Sequence, residues 1–312
     1  MSGVTAAVLN YDGRHHLEKL LPSLALQTHS DLHVVIVDNG SRDDSVSWLR
    51  ANWPEVEIVA LPVNVGVTPA LNVCIEAARG ELVLLLNNDM ELDPACVSEL
   101  VATLARHPAA AAAAAKLLDL GRRDVIDGAG DVYTWDGRAT RRGHGQLDEG
   151  QFDAPAAVFG ACGGAALYRR SALADVGPFD ERFFAMYEDV DWSFRAQLSG
   201  WTCHYVPTAI AYHAGSATVG AQSEFSLYHN WRNALWVVAK NYPPGALARH
   251  APELAWGQLS TLAIAARRGW SRILLRAWRD ALREMPAVLR DRRKVQRMRV
   301  RTTRQLDAVI GR

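Results

Sequence analysis

The sequence predicts an α/β fold: a mostly parallel sheet flanked by helices over residues 1–218, then a helical, basic C-terminal extension over 219–312. Three observations predict it. Short apolar runs rich in β-branched residues alternate with helical periodicity through the first half, the order that builds a parallel sheet covered by helices. One of those runs, Leu82–Leu86, is uninterrupted, as a buried strand is. From Ser223 onward the pattern becomes helical.

Each element has its own signal. Val4–Asn10 reads as a strand, and Leu17, Leu20, Leu21 and Leu24 recur at helical spacing around Pro22. His33–Val37 is a second strand, closed by the turn residues Asp38-Asn39-Gly40-Ser41. A short helix over Asp43–Asn52 and a strand over Val56–Ala60 follow. Pro69 suits a first helical turn and Gly80 the matching C-terminus. After Leu82–Leu86, Asp93 and Pro94 open a helix with Val97, Leu100, Val101 and Leu104 on one face. Ala109–Lys116 sets two rules in conflict, because alanine favours helix while the alternating order calls for a strand; the order decides for strand. Gly121–Pro155 reads as a long surface excursion. Strands resume near Val158, at Ala165–Tyr168, Cys203–Val206 and Ala209–His213. Leu227, Trp231, Ala234, Leu235 and Val238 give a later helix its apolar face, ended by Tyr242-Pro243-Pro244-Gly245. Between Trp270 and Arg283, Trp270, Ile273, Leu274, Ala277, Trp278, Ala281 and Leu282 fill half a helical wheel, with Arg272, Arg276, Arg279 and Arg283 on the other half. That face suits either a helix lying in a membrane surface or one docked on the main body with its arginines solvated.

With 49% hydrophobic and 22% charged residues, the 312-residue chain has ample core for a globular protein. The net charge of zero hides an asymmetry: residues 267–312 hold fifteen Lys/Arg against four Asp/Glu, a balance of +11, and the rest of the chain carries −11. A basic tail points toward an anionic surface, while the acidic body argues against nucleic acid. Cys74, Cys96, Cys162 and Cys203 lack metal-ligand spacing and read as buried, reduced thiols. The absence of a signal-peptide pattern or an 18-residue apolar run suggests a cytoplasmic protein, peripheral at the inner face of the membrane.

Two acidic clusters stand out. Asn87-Asn88-Asp89 follows the buried strand directly, at the strand end where open α/β sheets bind ligands. Glu188, Asp189 and Asp191 open a helix, where free N–H groups stabilise carboxylates. Together they look like a metal-diphosphate site facing a general base. Asn10-Tyr11 and Asp38 end the first two strands, where a nucleotide would lie across the sheet. Asp38 reads either as the acceptor for a uracil or thymine N–H or as a turn-capping residue.

Seven segments in order resemble the family 2 glycosyltransferases, inverting enzymes with a GT-A fold, and within them bacterial rhamnosyltransferase-like members. They are Val8–Gly13, Val37–Ser45, Asn64–Asn72, Leu85–Asp89, the run GGAALYRRSALADVGPFDERFF, Tyr187–Trp192 and His213. The resemblance extends to about Ser216, with Arg232-Asn233 beyond it. It implies transfer of a sugar, rhamnose by analogy, from a nucleoside-diphosphate donor to a hydroxyl of a lipid-linked or cell-surface glycan. It implies Asn64, Gly66 and Asn72 in the donor loop, with Asn87 and Asn88 toward ribose or phosphate. Asn87 stands where the family carries the first Asp of its Asp-x-Asp motif, which leaves Asp89, with His213, as ligands of Mn²⁺ or Mg²⁺. Asp189 is then the base and Glu188 the runner-up; Tyr187, Asp191 and Trp192 fall on the acceptor side, although Tyr187 and Trp192 equally suit plain packing and Asp191 an ion pair with Arg195 one turn on. A sugar nucleotidyltransferase fits less well, because Asn10–Arg14 lacks the glycines of that class. A non-catalytic binding module would not need Asp89, Asp189 and His213 together.

Overall fold

The computed structural model describes residues 3–215 and 222–311. The expected boundary at 218/219, and Ser216 with it, lies outside the described residues. The alternation is as the sequence predicts: β1 (Val4–Asn10), α1 (Arg14–Ala25), β2 (Leu32–Asp38), α2 (Ser45–Asn52), β3 (Glu57–Ala60), α3 (Val67–Ala77), β4 (Leu82–Asn87), β5 (Met90–Leu92), α4 (Cys96–Arg106) and β6 (Ala110–Asp119). Then come β7 (Ile126–Gly128), β8 (Asp131–Tyr133), β9 (Ala139–Arg141), β10 (Ala156–Val158), β11 (Ala165–Arg169), α5 (Arg170–Val176), α6 (Glu188–Leu198) and β12 (Thr202–His213). Five helices close the chain: α7 (Glu224–Asn241), α8 (Pro244–Arg249), α9 (Ala251–Arg268), α10 (Ser271–Met298) and α11 (Thr303–Leu306).

The main sheet runs β10-β12-β6-β11-β4-β1-β2-β3, with β5 paired to β12 and β7 to β6. The β3-β2-β1-β4 half is parallel, and β11 enters antiparallel between β4 and β6. The alanine run is the strand β6. Its residues alternate between the two cores on either sheet face, Ala113 and Ala115 on one side and Ala112 and Ala114 on the other. Side chains this small let the flanking layers approach closely, so tertiary packing overrides helix propensity.

Gly121–Pro155 is not a surface excursion. It supplies β7 to the main sheet and the β8–β9 hairpin, and it buries Asp127, Asp131, Tyr133 and Trp135. Tyr133 and Trp135 join Phe183, Phe194, Trp236 and Tyr242 in a third core that ties the hairpin and α6 to the C-terminal helices.

The face assigned to α7 also needs correcting. Leu227, Trp231, Ala234, Leu235 and Val238 are only half-buried, while His229, Asn233, Trp236, Lys240 and Asn241 are buried. Those polar groups are tolerated because they bond to the body: Lys240 Nζ reaches Asp180 (2.8 Å) and Asp191 (2.9 Å), and Asn241 donates to Asp191 (2.9 Å). α10 continues well past Arg283, and its Leu274, Ala277 and Ala281 are buried, with Trp236 Nε1 donating to Ala281 O (3.1 Å). Most of the apolar half-wheel is therefore docked on the protein. No helix among the described residues is long and apolar enough to cross a membrane.

Candidate active site

β4 ends at Asn87, and the turn Asn88–Asp89 leads into β5, whose register sets Met90 opposite His213 at the end of β12. That pairing brings two residues far apart in sequence into contact: His213 Nε2 lies 3.3 Å from Asp89 Oδ2, and the Ala214 N–H donates to Asp89 O (3.0 Å). The other ring nitrogen, Nδ1, is 2.9 Å from Asp127 Oδ2 on β7. Arg141 of β9 pairs with the same oxygen. Burial disfavours the imidazolium, but hydrogen bonds to Asp127 and Asp89 outweigh it and hold His213 at about 9. Burial likewise opposes ionisation of Asp89, and the imidazole overrides it, keeping the carboxyl below its usual range.

Asp89 Oδ1 is buried without a hydrogen-bond partner. A free carboxylate oxygen beside an imidazole nitrogen, whose far side is fixed by a carboxylate, is a donor set that fits a divalent ion. Among the described residues no three such groups converge, so the set suits an ion whose shell is completed by phosphate oxygens and water. Asp127 and Arg141 escaped the sequence reading because their segment looked like a surface loop. The apolar pair Val125-Ile126 directly before Asp127 was the available signal.

Of the residues expected to meet the donor, Asn10 and Asp38 are buried at adjacent strand ends, joined by Asn10 Nδ2 to Asp38 Oδ2 (2.9 Å). Asp38 also accepts from the Ser41 hydroxyl (2.6 Å) and N–H (3.0 Å), the turn-capping geometry. Asn88 Nδ2 donates to Asn10 Oδ1 (2.8 Å), which links the β4 turn to this cluster, and Tyr11 is half-buried beside it. Asn87, half-buried, takes a backbone bond from its N–H to Gly164 O (3.1 Å). Asn64 Oδ1 is used within its loop, accepting from the Gly66 N–H (2.9 Å). Asn72 spends its amide on Phe179 O (3.0 Å), the Phe179 N–H (3.0 Å) and Glu181 (3.1 Å), so it locks α3 to the segment before α6. Gly66 has φ +96°, and a Cβ there would sit 2.5 Å from the Phe184 ring, so glycine alone fits.

The Glu188–Asp189 dyad is tied to the end of β4. Gly163 donates its N–H to Asp189 Oδ2 (3.2 Å), and its neighbour Gly164 bonds Asn87. Asp189 is partly exposed and accepts a second bond from the Val190 N–H (2.7 Å). Glu188 is buried, and its Oε2 has no partner. Burial raises both carboxyls; Glu188, pressed further by the Asp189 charge, is pushed up to about 8. Two backbone N–H donors oppose that rise at Asp189, whereas Glu188 Oε2 has no donor, so Glu188 is the carboxyl of the pair that holds its proton more tightly. Asp131, buried under burial pressure and the Asp189 charge, is also pushed well up.

The acceptor-side residues separate. Tyr187 is partly buried and its hydroxyl accepts from the Ala139 N–H (3.2 Å). Asp191 has no exposed surface and binds Arg195 (2.9 Å), Lys240 and Asn241, and Trp192 is buried with Nε1 donating to Gly177 O (3.0 Å). Neither can touch an acceptor. The approach to the dyad is strained: Phe184, Met186 and Tyr187 have φ of 64°, 66° and 67°. Asn233 of α7 holds it there, with Nδ2 donating to the carbonyls of Phe183 (3.1 Å), Ala185 (2.8 Å) and Met186 (2.7 Å).

The chain is 28% identical over 238 residues to an N-acetylglucosaminyl-diphospho-decaprenol L-rhamnosyltransferase of Mycobacterium tuberculosis, covering 68% of this chain and 76% of that one. It shares its fold with GalNAc-T7, crystallised with UDP, GalNAc and Mn²⁺ (TM-score 0.63, 15% identity, 77% of this chain, 48% of that chain). It also shares it with S. aureus TarS 1-349 in complex with UDP-GlcNAc (TM-score 0.60, 17% identity, 99% and 93%). Residues 5–177, more than half the chain, match the model of glycosyl transferase family 2, and the chain belongs to that family of glycosyltransferases.

Proposed function

We propose that the chain transfers a sugar from a nucleoside-diphosphate donor to a hydroxyl of a lipid-linked glycan, inverting the anomeric carbon. The observation that carries this reading is the backbone link through Gly163–Gly164, which joins Asp189 to Asn87 at the end of β4, two residues before Asp89, whose carboxylate meets His213. Asp38, Asn10 and Tyr11 would take the nucleoside, Asn87 and Asn88 the ribose or phosphates, and the loop of Asn64 and Gly66 the sugar side, with Asn72 bracing it. Asp89 and His213 would hold Mn²⁺ or Mg²⁺, the imidazole favouring Mn²⁺. When bound, the ion offsets charge on the departing diphosphate. The acceptor oxygen forms its bond to the anomeric carbon as the bond to diphosphate breaks, and its proton passes to Asp189. Glu188, protonated beside it, keeps a second negative charge away from the base. Tyr187 is the acceptor-side contact that the burial pattern leaves open.

The Mycobacterium tuberculosis relative supports rhamnose as the sugar and a polyprenyl-diphosphate glycan as the acceptor. Such an acceptor would bring the enzyme to the inner face of the membrane. The test is transfer from labelled dTDP-, UDP- and GDP-sugars to a polyprenyl-diphosphate N-acetylglucosamine, with Mn²⁺ and with EDTA. Metal-dependent transfer with an inverted anomer by NMR is expected. A retained anomer, or no transfer from any donor, would overturn the reading.

A further inference from the structure

From Leu254 to Ala266 the sequence holds no charged residue, yet α9 is one of the most exposed elements of the molecule. Its inner side is seated on the turn before β9: a Cβ on Gly257 would lie 2.4 Å from Asp136 O, and Arg138 donates to Gly257 O (3.3 Å) and to the Ser260 hydroxyl. The opposite side carries Ala255, Trp256, Leu259, Leu262, Ala263 and Ala266, which fall within about 120° of arc at about 100° per residue. Trp256 is 69% exposed and Leu259 61%. A contiguous outer face with no polar side chain is an interaction surface rather than ordinary solvated helix.

The charge around it says what covers the face. α9 ends in Arg267 and Arg268, and Arg272 follows across the turn at Gly269; all three are exposed and form no ion pair among the described residues. Leu275, Leu282 and Leu289 stay exposed along α10 beside Arg279, Arg283, Arg290 and Arg293. Two copies meeting through this region would each bring a segment of net charge +11 against the other, which opposes self-association. An anionic lipid surface satisfies both features: apolar side chains enter the headgroup boundary and arginines pair with phosphate.

We propose that α9, with the arginines at the α9–α10 turn, is an interfacial anchor for an anionic bilayer. This deepens the membrane-linked part of the proposed function and depends on it only for purpose; the binding itself needs no donor or acceptor. It also moves the contact away from the apolar half of 270–283, whose Leu274, Ala277 and Ala281 are buried.

Co-sedimentation of the full chain with phosphatidylglycerol vesicles, against phosphatidylcholine vesicles, tests it. Binding to the anionic vesicles that weakens with salt is expected. The double variant L259E/L262E should lose about ten-fold or more in partition constant, and R267Q/R268Q/R272Q should lose the preference for anionic lipid, both with unchanged melting. No binding to anionic vesicles, or binding indifferent to these variants, overturns the proposal. Sedimentation velocity covers the alternative occupant: a wild-type dimer that L259E/L262E makes monomeric would assign the face to a second copy, and the proposal would fall. Vesicle binding without sugar transfer would instead remove the functional reading and leave the anchor standing.

Discussion

Asp189 and Glu188 are neighbours at one helix start and differ in what their oxygens touch. Asp189 accepts two backbone N–H groups, while Glu188 Oε2 has none. Asp189→Asn should therefore leave donor affinity in calorimetry unchanged and lower the transfer rate by about 10²–10⁴-fold, the usual size of a general-base contribution. Glu188→Gln should spare most of the rate and change stability instead. Its carboxyl rises from 4.5 unfolded to about 8 folded, so the folded state holds the proton more tightly. Stability from this group is full below about 4.5 and falls as pH rises through about 8. The glutamine variant has nothing to ionise, so its melting temperature should exceed wild type above that pH and converge with it in acid. At the metal side, Asp127→Asn leaves Asp89 and His213 in place but alters the partner of Nδ1. Mn²⁺ affinity, read by titration, should drop about 10–100-fold. Because His213 is held at about 9, Mn²⁺ uptake at pH 7 should also release a proton into weak buffer.

The segment between the short turn at Glu181–Phe183 and α6 shows how elements share one task. Three non-glycine residues at positive φ would each cost about 1–3 kcal/mol unsupported. The support comes from α3 and α7: the Thr68 N–H donates to Phe184 O (3.0 Å), and Asn233 covers three carbonyls. Asn233→Ala leaves the Ala185 and Met186 carbonyls without their donor, Arg232 still bonding Phe183 O (2.8 Å), and lets the start of α6 relax, moving Asp189 with it. The expected result is a fall in kcat of about ten-fold or more, with donor affinity nearly unchanged. A matching loss in donor affinity would show the clamp acting on the Gly66 loop as well. A helical wheel could not reveal this role, because it ranks Asn233 as polar and therefore solvent-facing. Its burial becomes intelligible only with the opposing carbonyls, which come from residues 47–50 positions earlier in the chain.

At the scale of the whole chain, the regular half of the sheet was readable because each strand there is flanked by its own helix and turn residues. Even β6 yielded to the alternating order against seven consecutive alanines. The pairing of Asp89 with His213 followed from motif order, which stands in for the long-range register of β5 on β12. Asp127 and Arg141 were hidden because β7 and β9 are three-residue strands whose pairing no local pattern encodes. The extension read as an appendage because its charge differs from that of the body, yet its buried face is part of the same core. Lys240 closes this connection by neutralising Asp180 and Asp191, two carboxyls held below their ordinary range despite burial. Lys240→Met would strand part of that charge, with Arg195 and Asn241 still on Asp191, at a cost of about 3 kcal/mol. For a chain of this size that corresponds to a melting temperature lower by about 5–10 °C. The sign with pH follows from the depressed carboxyls: their contribution is present above the unfolded value of 3.8 and is lost as pH falls through the lower folded values. The methionine variant should begin its acid unfolding at higher pH than wild type, and a chain ending at residue 222 should show no cooperative melting, since Tyr133, Phe183 and Phe194 lose the helices that cover them. A truncated chain that melted sharply and still bound donor would show that the body folds independently of the extension.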